Sequence, residues 1–314
     1  ASADRAGKAP GSANPPQQGW FPPGSAPRFS FRDSRDEYLA KVRQSQQAIT
    51  DGNTYEVCLT TALHAALPEP LAPAEQLGLY AALRRRSPAP FASLLRLGPL
   101  TLAGTSPERF LRISAGGGLR AEPIKGTRPR GADPASDTAL RQELLGSEKD
   151  RAENIMIVDL MRNDLSRLAA PGSVTVPRLC VVESYATVHQ LVSTVDARLA
   201  PDASRAEAVS AAFPAGSMTG APKASTMAIL DALETGPRGL YSGAVGYFSL
   251  TGAADLSVVI RTLALHRSPD GGMDLSLGVG GAVTAGSDPD AEWEEVRTKA
   301  RGVLGALGSD VPKD

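Results

Sequence analysis

Cysteine, histidine and aromatic residues are all scarce in this 314-residue chain: two Cys, three His, and 5% Phe, Trp and Tyr. The two cysteines, Cys58 and Cys180, each lie in an apolar run and cannot build a disulfide framework; they read as buried, reduced thiols of a cytoplasmic protein. Three histidines without an HExxH pattern disfavour a zinc centre. An excess of one charge is also lacking, with 33 Lys and Arg against 34 Asp and Glu. That balance argues against binding nucleic acid or a membrane surface through bulk charge. No run of about 18 apolar residues is present, and no charged-then-apolar leader opens the sequence as given. A nucleotide P-loop and the nucleophile elbow of α/β-hydrolases are missing too. In Gly216–Ser225 (GSMTGAPKAS), Ala221-Pro222 precedes Lys223 and rules the P-loop out.

Glycine (31) and proline (25) are abundant instead. Ten of them fall in Ala1–Pro27, so residues 1–30 read as a linker or tail and 31–314 as one compact catalytic domain. Periodicity predicts helices over Asp36–Thr50, Pro73–Arg86, Lys149–Leu168, Ala203–Ala212, Pro222–Glu234 and Asp288–Leu307. Strands are expected over Thr54–Thr61, Phe91–Leu97, Leu100–Ala103, Arg109–Ile113, Leu119–Ala121, Val174–Val176, Cys180–Val182 and Ala186–Val195. Leu240–Leu250, Asp255–His266 and Met273–Val283 follow as long strands. Runs of strands joined by hairpins and interrupted by single helices indicate an α+β fold with antiparallel sheets.

A few residues contradict their local pattern. Glu153 shares a helix face with Met156, Ile157 and Leu160, and an unpaired carboxylate there is costly. An internal salt bridge and a metal or proton-transfer role explain it equally well. Glu292, Glu295 and Lys299 edge the apolar stripe of the last helix, where a solvated Glu295–Lys299 pair is the simplest reading. Carboxylates from two helices would suit a hard cation such as Mg²⁺. Arg261, expected on one strand face with Val259 and Leu263, calls for a carboxylate, either internal or on a substrate. Lys125 sits before Gly126 in a basic loop. The helix start at Pro222 offers amide groups to an anion, and Gly278, Gly280 and Gly281 allow backbone to approach a ligand. Together these features describe a site for a small substrate carrying several carboxylates.

The motifs SPERF (Ser106–Phe110), PIKGT (Pro123–Thr127), DRAENIMIVDLMRNDLSR (Asp150–Arg167), FPAGSMTGAPK (Phe213–Lys223), YSGAVGYF (Tyr241–Phe248), IRT (Ile260–Thr262) and EWEEVRTKA (Glu292–Ala300) resemble those of the chorismate-utilising enzymes. The resemblance runs from about Asp36 to Leu307. It implies two antiparallel sheets in a sandwich with helices outside, and a Mg²⁺ held by Glu153 and Glu295 with Glu292 beside it. It also implies chorismate as substrate, gripped by Arg261 and Tyr241 at the enolpyruvyl carboxylate and by Lys299 and Gly278–Gly281 at the ring carboxylate. Thr127 and Gln190 are further expected contacts.

Within the family, Lys125 in PIKGT and Glu56 in TYEVCLT match the aminodeoxychorismate-forming branch. There the lysine acts as a nucleophile, and no early-strand lysine activates water. The expected chemistry has Glu108 protonate the leaving 4-hydroxyl while Lys125 attacks ring C2, after which ammonia displaces the lysine. It requires Lys125 to lose its proton readily and Glu108 to keep its own. Gln190 stands where many members have histidine, with His189 on the opposite strand face, which disfavours the pyruvate-eliminating step of anthranilate synthesis. Neither cysteine suits a glutaminase, so ammonia is expected from a glutamine amidotransferase subunit or fused domain. The alternatives are an anthranilate or 2-amino-2-deoxyisochorismate synthase, or an inactive ligand-binding homologue. Members also carry a further N-terminal segment of roughly a hundred or more residues. It is not recognisable here, and the Gly/Pro-rich opening is expected to mark a junction.

Overall fold

The computed structural model describes residues 19–185 and 188–313. Its elements alternate in short groups. Strand β1 (Ser30–Phe31) leads to helix α1 (Arg35–Thr50), β2 (Glu56–Leu67) and α2 (Pro73–Arg86). Five strands follow: β3 (Phe91–Leu97), β4 (Leu100–Ser106), β5 (Arg109–Ile113), β6 (Gly118–Glu122) and β7 (Ile124–Pro129). Next come α3 (Pro134–Gly146), α4 (Glu148–Ser166), β8 (Thr175–Ser184), β9 (Val188–Arg198), α5 (Arg205–Ala212), β10 (Gly220–Ala221) and α6 (Lys223–Leu233). The chain closes with β11 (Ala244–Phe248), β12 (Ala254–Val258), β13 (Thr262–Arg267), β14 (Met273–Val283) and α7 (Pro289–Leu307).

The strands form two antiparallel sheets, as expected for this α+β sandwich. One runs β1-β2-β14-β13-β4-β3 with β10 added to β2; the other runs β11-β12-β5-β6-β9-β7 with β8 on β9. Helices α1, α2 and α7 cover the first sheet around Tyr38, Leu59, Leu79 and the fully buried Trp293. The Trp293 ring lies 4.7 Å from that of Phe31 and 5.4 Å from that of Tyr38. Helix α4 backs the second sheet with Ile157, Val158, Met161 and Leu165. The start of α7 follows from local chemistry: the Asp288 side chain accepts from the Ala291 amide at 2.8 Å, and Pro289 fills the first turn.

Several expectations change: the strand expected over Leu240–Leu250 shortens to β11, those over Val174–Val176 and Cys180–Val182 join as β8, and four further differences follow. The linker expected over 1–30 is not loose throughout: residues 1–18 lie outside the described residues, but the Trp20 and Phe21 amides donate to Ala306 and Leu307 carbonyls at 2.9 Å, and Phe29 is buried. Helix α3 was not anticipated, although Asp133 caps it by accepting from the Ala135 and Ser136 amides. The strand expected over Ala186–Val195 begins at Val188, its first two residues lying outside the described residues. The strand expected over Asp255–His266 is two strands. The chain leaves the second sheet after Val258 and enters the first at Thr262, with Arg261 between them at φ +48°.

Candidate active site

A cavity of about 690 Å³ lies where α4 and α7 flank strands of both sheets. It collects every residue to which the family resemblance assigns a catalytic, substrate or metal contact. Lys125 and Thr127 enter from β7, Gln190 from β9, Glu153 from α4, and Glu292, Glu295 and Lys299 from α7. Glu108 comes from the turn between β4 and β5, Tyr241 and Arg261 from the connections around β11–β13, and Gly278, Gly280 and Gly281 from β14.

Lys125 is aimed inward by an irregularity. The β7–β9 register shifts between Ile124 and Thr127, and Gly126 takes φ +85°; such a bulge re-aims a side chain. The Lys125 ammonium then meets Glu56, the first residue of β2, at 2.6 Å. The expectation of a readily lost proton is thereby corrected. Burial is the largest single influence and works against the ammonium, but Glu56, with Cys58 and Glu153, together outweigh it and hold the lysine well above its ordinary pKa. Glu108 does follow expectation: burial pushes its carboxyl upward, although Ser217 Oγ donates to Glu108 Oε1 at 2.7 Å and partly offsets that.

Arg261 is not on a strand face with Val259 and Leu263, because the strand is broken there. Among the described residues it has no ion pair; burial pulls its pKa down and only Glu108 raises it. An internal carboxylate partner, one of the two readings left open, is therefore missing, and the guanidinium lines the cavity. Tyr241 is half-buried, and desolvation raises its phenol.

Glycine in β14 serves protein packing first. A Cβ on Gly278 would lie 2.2 Å from the Tyr241 ring, and one on Gly281 would lie 2.8 Å from Glu292 Oε2. Close packing is thus a second reason for glycine at these positions, beside the backbone approach to a ligand expected from the sequence. The helix start at Pro222 is likewise no part of this cavity: Lys223 Nζ donates to Asp164 at 2.7 Å and to the Ala212 carbonyl. The motif's contribution to the site is Ser217.

The three carboxylates expected to hold a metal stand on opposite walls. Glu153 is raised to about 7, chiefly by burial, and its only ion-pair partner among the described residues is Lys149 at 3.9 Å. Burial and the neighbouring Glu295 raise Glu292; its Oε1 accepts from Ser287 Oγ at 2.7 Å, and its Oε2 is buried without a hydrogen-bond partner. Burial disfavours the Glu295 charge, but Lys299 at 2.6 Å reverses that and lowers its pKa. Both side chains remain exposed, so this is the solvated pair the sequence suggests, and Lys299 is anchored besides by donating to the Gly280 carbonyl at 2.8 Å. Among the described residues, no three His, Cys, Asp or Glu side chains converge closely enough to hold a metal. The set expected from the sequence is thus present but not gathered around one point. Its all-oxygen chemistry and the orphaned Glu292 oxygen still fit a hard divalent cation.

Two supporting residues escaped sequence reasoning. Asn154, fully buried, donates from Nδ2 to the Leu191 carbonyl at 3.1 Å and accepts from Ser193 Oγ, tying α4 to β9 beside Glu153 and Gln190. An asparagine on the inner face of an otherwise apolar helix was a visible signal. Ser217 had none beyond its glycine-rich setting. His189, turned away from Gln190 as expected, lies 2.8 Å from Ser184 Oγ and 3.1 Å from Asp137 Oδ1.

A family profile described as chorismate binding enzyme matches residues 4–305. An aminodeoxychorismate synthase of Streptomyces griseus is 57% identical over 282 residues, which cover 90% of this chain and 38% of that protein. The aminodeoxychorismate synthase of Streptomyces pristinaespiralis is 56% identical over 277 residues, 88% of this chain and 37% of its own length. The chain therefore spans less than two fifths of these relatives. Among solved structures, anthranilate synthase component I from Streptococcus pneumoniae TIGR4 superposes with a TM-score of 0.78 at 30% identity, over 89% of this chain and 60% of that one. No helix of the described residues is long and apolar enough to cross a membrane. A profile match over nearly the whole chain and these identities make it a member of the chorismate binding enzyme family.

Proposed function

We propose that residues 31–314, with 19–30 docked on them, are the catalytic domain of an aminodeoxychorismate synthase. It would replace the 4-hydroxyl of chorismate by ammonia, in the cytoplasm, with a glutamine amidotransferase subunit or fused domain as the nitrogen source. The observation that carries this reading is the presence of Lys125 and Glu108 in one cavity with Arg261, which has no ion pair among the described residues. A nucleophile, a protonated acid and a free guanidinium are the groups this substitution needs.

Each residue has a task. Arg261 and Tyr241 bind the enolpyruvyl carboxylate; Lys299, Thr127, Gln190 and the backbone at Gly278–Gly281 hold the ring and its carboxylate. Lys125 Nζ attacks ring C2, and the C4–O bond breaks as Glu108 gives its proton to the departing hydroxyl, releasing water. Ammonia then attacks C4 and the C2–N bond returns its electrons to lysine. The nitrogen so delivered gives a proton to Glu108, restoring the acid. Glu153, Glu292 and Glu295 would hold Mg²⁺, which when bound neutralises charge on the ring carboxylate.

Incubation of the purified protein with chorismate, Mg²⁺ and ammonium, followed by chromatography and mass spectrometry, tests the proposal. The expected product is 4-amino-4-deoxychorismate, with turnover lost in EDTA and restored by Mg²⁺. Fluorescent anthranilate as the product would refute it. No turnover even with the amidotransferase would favour a ligand-binding homologue.

A further inference from the structure

Glu56 is fully buried at the first position of β2, and its Oε1 accepts the proton of Lys125 Nζ at 2.6 Å. Its second oxygen, Oε2, is buried without a hydrogen-bond partner among the described residues. The chemistry above needs a lysine lone pair, whereas the structure presents an ammonium locked to a carboxylate. An ammonium cannot attack carbon. Some group must take its proton before the attack and return it after the lysine is expelled.

We propose that Glu56 is the catalytic base of Lys125, taking its proton for the duration of the covalent stage. This inference rests on the covalent reading of Lys125. The balance is as follows. One N–H bond of the ammonium breaks and an O–H bond forms on Glu56, converting the ion pair into a neutral amine and a neutral acid. The amine attacks C2 and becomes a secondary ammonium on the ring while Glu108 protonates the leaving hydroxyl. When ammonia enters at C4, the lysine leaves as a neutral amine and recovers its proton from Glu56. Glu108 recovers its own from the new C4 ammonium. No outside proton source is consumed.

Three features of the fold support the assignment. The transfer lies within one short hydrogen bond, so no water need enter. The pair is also desolvated, with the Glu56 side chain 0% and that of Lys125 10% exposed, and a low local dielectric favours the neutral form of such a pair over the charged one. The segment that follows the cavity's edge ties base and acid together: Ser217 holds Glu108, and four residues on, Ala221 pairs with Glu56 in the β10–β2 ladder. Gly220 is required between them, because a Cβ there would lie 2.0 Å from the Glu56 carbonyl oxygen. Other ionisable groups facing the Lys125 charge are Cys58 from β2, Glu153 from α4, Glu295 from α7 and Glu108 from the β4–β5 turn.

The test compares Glu56→Gln with the unaltered protein from pH 6 to 9, with ammonium as nitrogen source. The ratio of the two turnover rates at each pH cancels titrations common to both, including that of ammonia. General-base loss is expected to cost about 100-fold or more at neutral pH. With Glu153 and Glu295 still facing the lysine, it stays an ammonium in the variant, and that ratio should recover by up to about tenfold per pH unit as solvent takes over removal of its proton. Glu56→Asp, which keeps a carboxylate, should show a ratio independent of pH even if its rate is lower. Thermal midpoint and calorimetric chorismate binding report whether each variant is folded. A Glu56→Gln ratio that is flat with pH, at full or reduced activity, overturns the role of Glu56. Retained activity in Lys125→Ala instead overturns the covalent reading, and Glu56 as its base with it. Inactive Lys125→Ala with a flat Glu56→Gln ratio removes Glu56 alone.

Discussion

Replacing Lys125 by methionine probes the buried ion pair through stability rather than activity. The lysine side chain is 10% exposed and that of Glu56 is 0% exposed, with 2.6 Å between their charged atoms. Methionine fills much of the same volume but leaves the carboxylate without a partner. Breaking one side of a buried pair costs about 3–5 kcal/mol, because the remaining charge stays desolvated. For a chain of this size that corresponds to a fall in thermal midpoint on the order of 6–10 °C. The double variant Lys125→Met/Glu56→Gln carries no orphaned charge and should regain more than half of the loss. The expected coupling energy is about 2–3 kcal/mol. Acidification, which neutralises an unpaired carboxylate, should narrow the gap between Lys125→Met and the unaltered protein. Circular dichroism melts at pH 5 and pH 8 on the four proteins of this cycle supply the measurement. An unchanged midpoint in Lys125→Met, or a double variant no more stable than the single one, would refute the reasoning that this pair is both buried and isolated.

Three further outcomes are expected. Ser217→Ala removes a donor that stabilises the Glu108 carboxylate, so the carboxyl should rise further and the alkaline limb of the pH–rate profile should move to higher pH. A raised carboxyl means the folded state holds a proton that the unfolded chain has released. Stability therefore falls as pH climbs from 4.5 toward the folded value, and in Ser217→Ala that fall continues further; an unmoved limb would contradict this. Asn154→Ala leaves the Leu191 carbonyl and Ser193 hydroxyl unsatisfied in the interior, at a cost of about 2–4 kcal/mol, and should raise the KM for chorismate by loosening α4 beside Glu153. Denaturant unfolding and steady-state kinetics check both parts. Trp293→Ala should cost about 3–5 kcal/mol by opening a cavity beside Phe31 and Tyr38, visible as a lower urea midpoint.

Local chemistry made much of this molecule legible before any coordinates. The bounds Pro73–Arg86, Arg109–Ile113 and Met273–Val283 were read directly, because proline, turn residues and apolar periodicity act over a few neighbours. The residues of the cavity were legible too, since long motifs carried them together. What each side chain does there was not. Arg261 looked like a strand residue because its neighbours alternate correctly, yet the chain changes sheets at that point and only the far ends of β12 and β13 reveal it. Gly278 was legible as a point where backbone can approach a ligand, but not that the Tyr241 ring packs where a Cβ would stand.

The charge state of Lys125 shows the division most clearly. That a lysine stands in PIKGT, inside a bulge-forming Pro–Gly frame, is a property of the sequence alone. That its ammonium is held so firmly against burial depends chiefly on Glu56, 69 residues away in the other sheet. Burial and Coulomb attraction pull such a group in opposite directions, and which prevails depends on a distance that no spacing along the chain encodes. Sequence determined which groups are present and which helices and strands carry them. Tertiary structure decided which charges face each other, because the pairing of two sheets sets those distances.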